Sequence, residues 1–182
     1  MEHELIDLLD DNGKVVGTVD KAIAHRDGLW HRSVHVWIIN DNSEILLQHR
    51  CSEKSFFPNV WDCSFAGHIG AGEGSLETAV REGKEEIGLD IDVSELDFVF
   101  TNKEKLVYGK TVSNEFVDIY LLKKNIDLSK QELQAEEVDG LKWIKLQQFF
   151  EMIEEGDESL LPHDKNEYFA LKNKLDSLEL DL

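Results

Sequence analysis

Apolar and polar positions along the 182-residue chain change period several times, and each change marks an element. Near the N-terminus, "ELIDLLDDNGKVVGTV" holds two apolar runs around Asn12-Gly13. That dipeptide between two strand-like runs predicts a hairpin over about residues 4–20, closed by a tight type I′ turn. A polar segment, "DKAIAHRDGLWHR", follows. The runs "SVHVWIIN" and "EILLQHR" flank "DNS" and predict a second strand–turn–strand unit. "WDCSFAGHIGAGEGS" is too rich in glycine for a regular helix. Beyond it the period shifts, with Leu76, Ala79, Val80 and Ile87 recurring at helical spacing. Ser75, Glu77 and Thr78 supply capping chemistry at the start of that helix, and Gly88 is its natural stop.

Downstream, "LDFVFTN" and "NEFVDIYLLKK" have strand character and are joined through "KEKLVYGKTVS". The polar stretch around residues 125–140 reads as a long loop, and "LKWIKL" as a buried strand. "QQFFEMIEEG" and "DKNEYFALKNKLDSL" are amphipathic helices. Many strands with one early and two late helices predict an α+β chain, a mixed β-sheet sandwiched between α-helices. No internal repeat, low-complexity segment or domain boundary breaks the chain, so one domain over residues 1–182 is expected.

Composition adds a tension. Hydrophobic residues make up 41%, with nine Phe and four Trp, enough for a packed interior. Thirty-eight acidic residues against nineteen basic give a formal net charge of −19. That excludes a nucleic-acid polymer as partner, which needs a basic face. It also repels phosphorylated small molecules unless cations intervene. Cys51 and Cys63 form no framework, which fits a reducing cytoplasm. The acidic N-terminus has no basic n-region and no apolar stretch is long enough for a bilayer, so neither export nor a membrane is expected. Yet "REGKEEIG" stacks Glu82, Glu85 and Glu86 on one helical face, where like charges cost a few tenths of a kcal/mol each.

A purpose for that stacking emerges from residues 67–89, "GHIGAGEGSLETAVREGKEEIGL". Three carboxylates at this spacing make a hard-oxygen site suited to Mg²⁺ or Mn²⁺. The glycines let the backbone approach closely, and Gly67 can offer its carbonyl oxygen as a further ligand. A dication would turn mutual repulsion into attraction and let an acidic protein hold an anionic diphosphate. The string resembles the Nudix signature, G-x5-E-x7-R-E-U-x-E-E-x-G-U, with U a bulky aliphatic. Gly67, Glu73, Arg81, Glu82, Glu85, Glu86, Gly88 and Leu89 match, and Gly83 stands in place of the first aliphatic. The resemblance implies a Nudix fold and a metal-dependent hydrolase cleaving a P–O–P linkage in a nucleoside diphosphate derivative or related organic diphosphate. It implies metal ligation by Glu82, Glu85, Glu86 and Gly67, and catalysis by Glu85 and Glu86. Glu73, Arg81 and Gly88 become structural members of the box.

The N-terminal hairpin, "AHRDGLWHR", "FFPNVWDCSFAGH" and "NEF" run in the order found in type 1 isopentenyl diphosphate isomerases and the hydrolases that resemble them. His25, His31 and His68 match histidines of the isomerase metal site. That family needs a cysteine where this chain has Ala66, and a Glu-x-Glu pair where it has Ser113-Asn114-Glu115. Cys63 lies an odd offset away, on the opposite face of an extended stretch. Isomerase activity is therefore disfavoured, and the hydrolase loses nothing essential. Glu115 is a candidate metal ligand or catalytic base. His31, Arg32, Arg50 and His68 are candidate phosphate or substrate contacts, as is Arg26 by charge alone. Trp30, Trp61 and Trp143 serve either base stacking or the core. A non-catalytic ligand-binding module is a further alternative, though such modules often lose box acids and this chain keeps them. The oligomeric state is left open, a homodimer through an apolar strand such as "NEFVDIYLL" being one arrangement.

Overall fold

The computed structural model describes residues 4–178. Strands β1 (Leu5–Leu9) and β2 (Val15–Asp20) form a two-stranded sheet of their own. The hairpin is where expected, but its turn is not type I′. Gly13 is left-handed at φ 79° and Asn12 is not, whereas type I′ needs both. The Asp10 carboxylate accepts from the amides of Asn12 (2.9 Å) and Lys14 (3.0 Å), which widens the loop to residues 10–14.

The polar segment after the hairpin contains a short helix that apolar periodicity did not reveal, α1 (Lys21–Asp27). Asp20 caps it by accepting from the Ala22 amide, and Gly28 ends it in the left-handed region. Then come β3 (Trp30–Ile39), β4 (Glu44–Arg50), β5 (Trp61–Asp62) and β6 (Phe65–His68). Helix α2 (Ser75–Ile87) follows, ending at Gly88 with φ 68°. Its N-cap is Gly74 rather than Ser75. The Ser75 hydroxyl is instead bonded to the Tyr120 hydroxyl at 2.6 Å, and Thr78 donates back to the Gly74 carbonyl.

Strands β7 (Leu96–Tyr108) and β8 (Thr111–Lys123) form one long antiparallel hairpin that absorbs the whole "KEKLVYGKTVS" connection. After an irregular stretch with a single 3₁₀ turn at Leu128–Lys130, the chain enters β9 (Val138–Lys145), α3 (Leu146–Glu155) and α4 (Lys165–Asp176).

The main sheet runs β5-β4-β3-β8-β7, with β6 added to β3 and β9 to β4. Strand β3 is its axis, parallel to β8 over ten residue pairs and antiparallel to β4 and β6. Its side chains alternate between faces. Val34, Val36 and Ile38 pack with Phe65 and with Ala79 and Ile87 of α2. Trp37 and Ile39 pack with Phe149 of α3 and Leu171 and Leu175 of α4. The result is the mixed sheet between helices that the strand and helix count predicts. Trp143 is half-buried, so the "LKWIKL" strand is less enclosed than its apolar pattern suggests.

The N-terminal hairpin docks on the glycine-rich loop before α2. Ile6 bridges Gly70, and the Ala71 amide donates to the Leu5 carbonyl at 2.9 Å. That contact ties β1 to the loop that leads into α2.

Candidate active site

Helix α2, the end of β6, α1 and the N-terminal half of β3 enclose a cavity of about 730 Å³. Glu82, Glu85 and Glu86 all line it, as does Gly67. Gly67 has no side chain for a steric reason: a β-carbon there would lie 2.0 Å from Glu82 Cδ. The Glu82 carboxylate therefore lies flush against the backbone of β6. Arg81 organises the helix start. Its Nε and Nη2 donate to the two Glu73 oxygens at 3.1 and 3.2 Å, and its Nη1 reaches Glu82 (2.8 Å) and Glu85 (2.9 Å). Glu73 in turn accepts from the Gly70 amide at 3.2 Å, closing the loop onto the helix.

The three acids differ in surroundings. Glu85 is half exposed at the rim. Glu86 is buried and accepts from the Ala66 amide at 3.2 Å and Gln48 Nε2 at 3.3 Å. Burial raises its carboxyl above the ordinary range, with Lys54 opposing. Burial also pushes Glu82 up to about 7, with Arg81 opposing and Glu86 adding to the shift. Two carboxyls held high beside one another are a site prepared for a cation.

Gly83, the departure from the signature, has a packing explanation. A β-carbon there would meet Ile91 Cδ1 at 2.7 Å and Phe65 Cζ at 3.1 Å. Ile91 and Phe65 fill the space that an aliphatic side chain at this position would take.

Across the cavity a second group converges. His25 Nε2 lies 3.0 Å from His68 Nε2, the His31 and His68 rings stack at 5.1 Å, and His31 Nε2 is 3.7 Å from Glu115 Oε1. Ligand atoms of His25, His31, His68 and Glu115 all lie within 4.8 Å of one another. Glu115 takes the hydroxyls of Ser33 and Ser113. Burial alone would raise its carboxyl, but His31, His68 and those hydroxyls outweigh it and hold the group well below the usual range. His68 is pushed well below its ordinary value by burial, Lys21 and the other two histidines, and is neutral.

The remaining expected contacts divide. Arg50 lines the cavity but is committed to the carbonyls of Phe56 and Phe57 and to Asp62 at 3.0 Å. Arg32 is not at the cavity. As an even-numbered position on β3 it faces the α2 layer, where its guanidinium meets Asp118. Arg26 is exposed and paired with Asp27. Trp30 packs against Phe116 with the rings tilted by 56°. Residues not singled out in the sequence also line the cavity: Lys21, Lys54, Ser33 and His163. Asp20 and Gly28, a cap and a stop eight residues apart, were the readable signal for α1 and hence for the placement of Lys21 and His25. Lys54 sits in an irregular loop, with no periodic signal.

The comparison with family models matches residues 29–164 to the NUDIX domain. The chain belongs to the Nudix family. Its curated relatives include proteins named Nudix hydrolases and proteins named isopentenyl-diphosphate Delta-isomerases. Nudix hydrolase 3 of Arabidopsis thaliana is 38% identical over 91% of this chain, which spans 22% of that protein's length. An uncharacterized Nudix hydrolase of Clostridium acetobutylicum is 35% identical over 80% of this chain and 72% of its own. An isopentenyl-diphosphate Delta-isomerase of Clavibacter sepedonicus is 30% identical over 80% of this chain and 75% of its own. The fold is similar to that of DR0079 from Deinococcus radiodurans, with TM-score 0.70 and 21% identity over 93% of this chain and 98% of that one.

Nudix hydrolases generally use divalent ions, and the residues present fit one. The box offers carboxylate oxygens of the kind Mg²⁺ and Mn²⁺ prefer. The histidine group offers imidazole nitrogen and one carboxylate, with His31 Nε2 buried and without a hydrogen-bond partner. No helix among the described residues is long and apolar enough to cross a membrane.

Proposed function

We propose that this Nudix chain hydrolyses a P–O–P linkage in a small organic diphosphate or nucleoside diphosphate derivative, using Mg²⁺ or Mn²⁺. The observation that carries the reading is the cavity itself, in which Glu82 and Glu86 lie on one wall and Glu115 with its histidines on another. Glu82, Glu85 and Glu86, with the backbone of Gly67, would hold the ion at the box. When bound, the ion neutralises the diphosphate oxygens and acidifies the attacking water.

The chain's own residues supply the rest. Lys21, paired with Glu4, Lys54, paired with Glu137, and neutral His68 line the cavity wall, and the two lysines would exchange those carboxylates for phosphate oxygens. Glu85, the accessible box acid, takes the proton of the attacking water. Glu115, kept ionised, suits a ligand better than a base, because a strongly acidic carboxyl is a weak proton acceptor. Arg81 and Glu73 position the helix without touching substrate. No covalent intermediate with the protein is needed, and the rate comes from positioning and charge neutralisation. The site and a reducing, cytoplasmic setting are read together with a single domain over the chain. The test is a panel of diphosphates assayed for phosphate or monophosphate release with and without Mg²⁺ or Mn²⁺. Unchanged turnover in both Glu85→Gln and Glu86→Gln would refute these roles.

A second reading, isopentenyl diphosphate isomerase, is favoured by the His25–His31–His68–Glu115 group and by relatives bearing that name. It is opposed by Ala66, which lines the cavity where the isomerases carry a cysteine. Cys63 is no substitute: it is fully buried and donates its thiol to the Phe65 carbonyl at 3.3 Å. Deuterium uptake from D₂O into isopentenyl diphosphate, with no phosphate released, would establish the isomerase instead.

A further inference from the structure

Glu104 of β7 is the register partner of Glu115 of β8, so the two acids are cross-strand neighbours on one face of the sheet. Glu115 turns to the histidine group already described. Glu104 turns to a different set, His163 just before α4 and Glu167 in its first turn, and none of the three is accounted for by the hydrolytic site. All are buried, with exposures of 3%, 7% and 0%. His163 Nδ1 lies 3.6 Å from Glu104 Oε1 and 3.9 Å from Glu167 Oε2, too far for hydrogen bonds, and it has no other partner. We propose that Glu104, His163 and Glu167 form a further metal site, for a divalent transition ion of the zinc type.

The spacing suits an ion. Ligands at about 2.0–2.2 Å from zinc in a tetrahedron stand roughly 3.4 Å apart. The two separations from His163 Nδ1, 3.6 and 3.9 Å, are close to that value, and all three atoms lie within 4.8 Å of one another, so the widest pair closes by no more than about 1.4 Å.

The surroundings orient each ligand. Asp62 lies 2.7 Å from His163 Nε2, so Nδ1 is the ring nitrogen that faces the two carboxylates and would bind an ion once deprotonated. Glu104 Oε2 is anchored by the Asp164 amide at 2.7 Å, and Glu167 Oε1 by Trp37 Nε1 at 2.9 Å. Glu104 Oε1 and Glu167 Oε2 point at His163, and His35 Nδ1 lies 3.1 Å from both oxygens of Glu167, so an ion would share that acid with His35.

Charge agrees. Asp62, Glu104 and Glu167 bring three negative charges, and Arg50 at 3.0 Å from Asp62 returns one. A single dication balances the remaining two. One nitrogen and two oxygens suit zinc better than magnesium, which favours oxygen alone. Glu104 and His163 line the same cavity as the box. The ion would tie β7 to α4 with its open coordination positions toward substrate.

The test is anomalous diffraction at the zinc edge from crystals soaked in ZnCl₂ with excess Mg²⁺. A peak about 2.0–2.2 Å from His163 Nδ1, Glu104 and Glu167 is expected. Glu104→Gln, which keeps an acceptor for the Asp164 amide, should remove it. If that variant does not fold, the wild-type map decides alone. No peak between these three residues overturns the proposal, whatever is found at Glu82 and Glu86, where a peak bears only on the hydrolytic reading.

Discussion

Glu82 lies so close over Gly67 that a β-carbon on the glycine would fall 2.0 Å from the carboxylate carbon. The clash is with the far end of a flexible side chain, so the fold can absorb it by moving Glu82. Gly67→Ala should therefore change the thermal midpoint little, by less than about 1 kcal/mol equivalent. It should lower kcat/KM and weaken Mn²⁺ binding by roughly tenfold or more. Calorimetric titration beside a melting curve checks both halves, and an unmoved Mn²⁺ affinity would show that Glu82 is not a ligand.

Glu86 is buried, held by Ala66 and Gln48, and faces the cavity. Glu86→Gln preserves shape and removes charge. Loss of an outer-shell partner costs a metal enzyme about 10–100-fold; loss of Glu86 should exceed that in steady-state turnover. Excess Mn²⁺ should restore little of it.

In protein stripped of metal, Glu82 has a folded pKa of about 7 against an ordinary 4.5. Between those values the folded state binds more protons than the unfolded one, so stability falls as pH rises through this window. The span corresponds to roughly 3 kcal/mol. Chemical denaturation in chelator from pH 5 to 8 should show the decline, and Glu82→Gln should flatten it. A wild-type profile that rises through the same window would contradict the assigned burial of Glu82.

Restoring the signature aliphatic should harm this chain. In Gly83→Leu the new side chain meets Ile91 at 2.7 Å and Phe65 at 3.1 Å from the β-carbon onward. A cost of about 1–3 kcal/mol is expected for such overpacking. Adding Ile91→Ala should recover part of it, and a double-mutant cycle by urea unfolding measures the coupling.

Arg81 joins Glu73, Glu82 and Glu85 with directional bonds. Arg81→Lys keeps the charge but not the fork. Activity should drop by about 10–100-fold through misplacement of the box acids. The same loss in Glu73→Gln, with no further loss in the double variant, would identify one shared positioning role.

Much of this was legible in the chain. The N-terminal hairpin, most of the longer strands, the helix from residue 75 or 76 to Gly88 and the box acids follow from periodicity and fixed offsets, whereas the sheet order and the short strands β5 and β6 do not. What escaped depended on tertiary partners. Helix α1 is too short and too polar for a moment to stand out, and its evidence was a cap and a glycine. The face on which Arg32 falls is set by the register of β3, which no local pattern gives. Ser33 and Ser113 acquire meaning only because β6, β3 and β8 bring them beside His68 and Glu115. His163 and Glu104 lie 59 residues apart, by their numbers, and meet through the packing of α4 on β7.

His31 and Glu115 are directly paired on the parallel strands β3 and β8, and Ser33 is paired with His68 on β6. One wall of the cavity is thus woven into a sheet, and a slip of a single residue would turn its donors into the core. The opposite wall is carried on a loop and a helix that can be edited residue by residue. Ala66 belongs to the woven wall, paired with His35 on β3, so its side chain alters what the cavity offers while every strand stays in step.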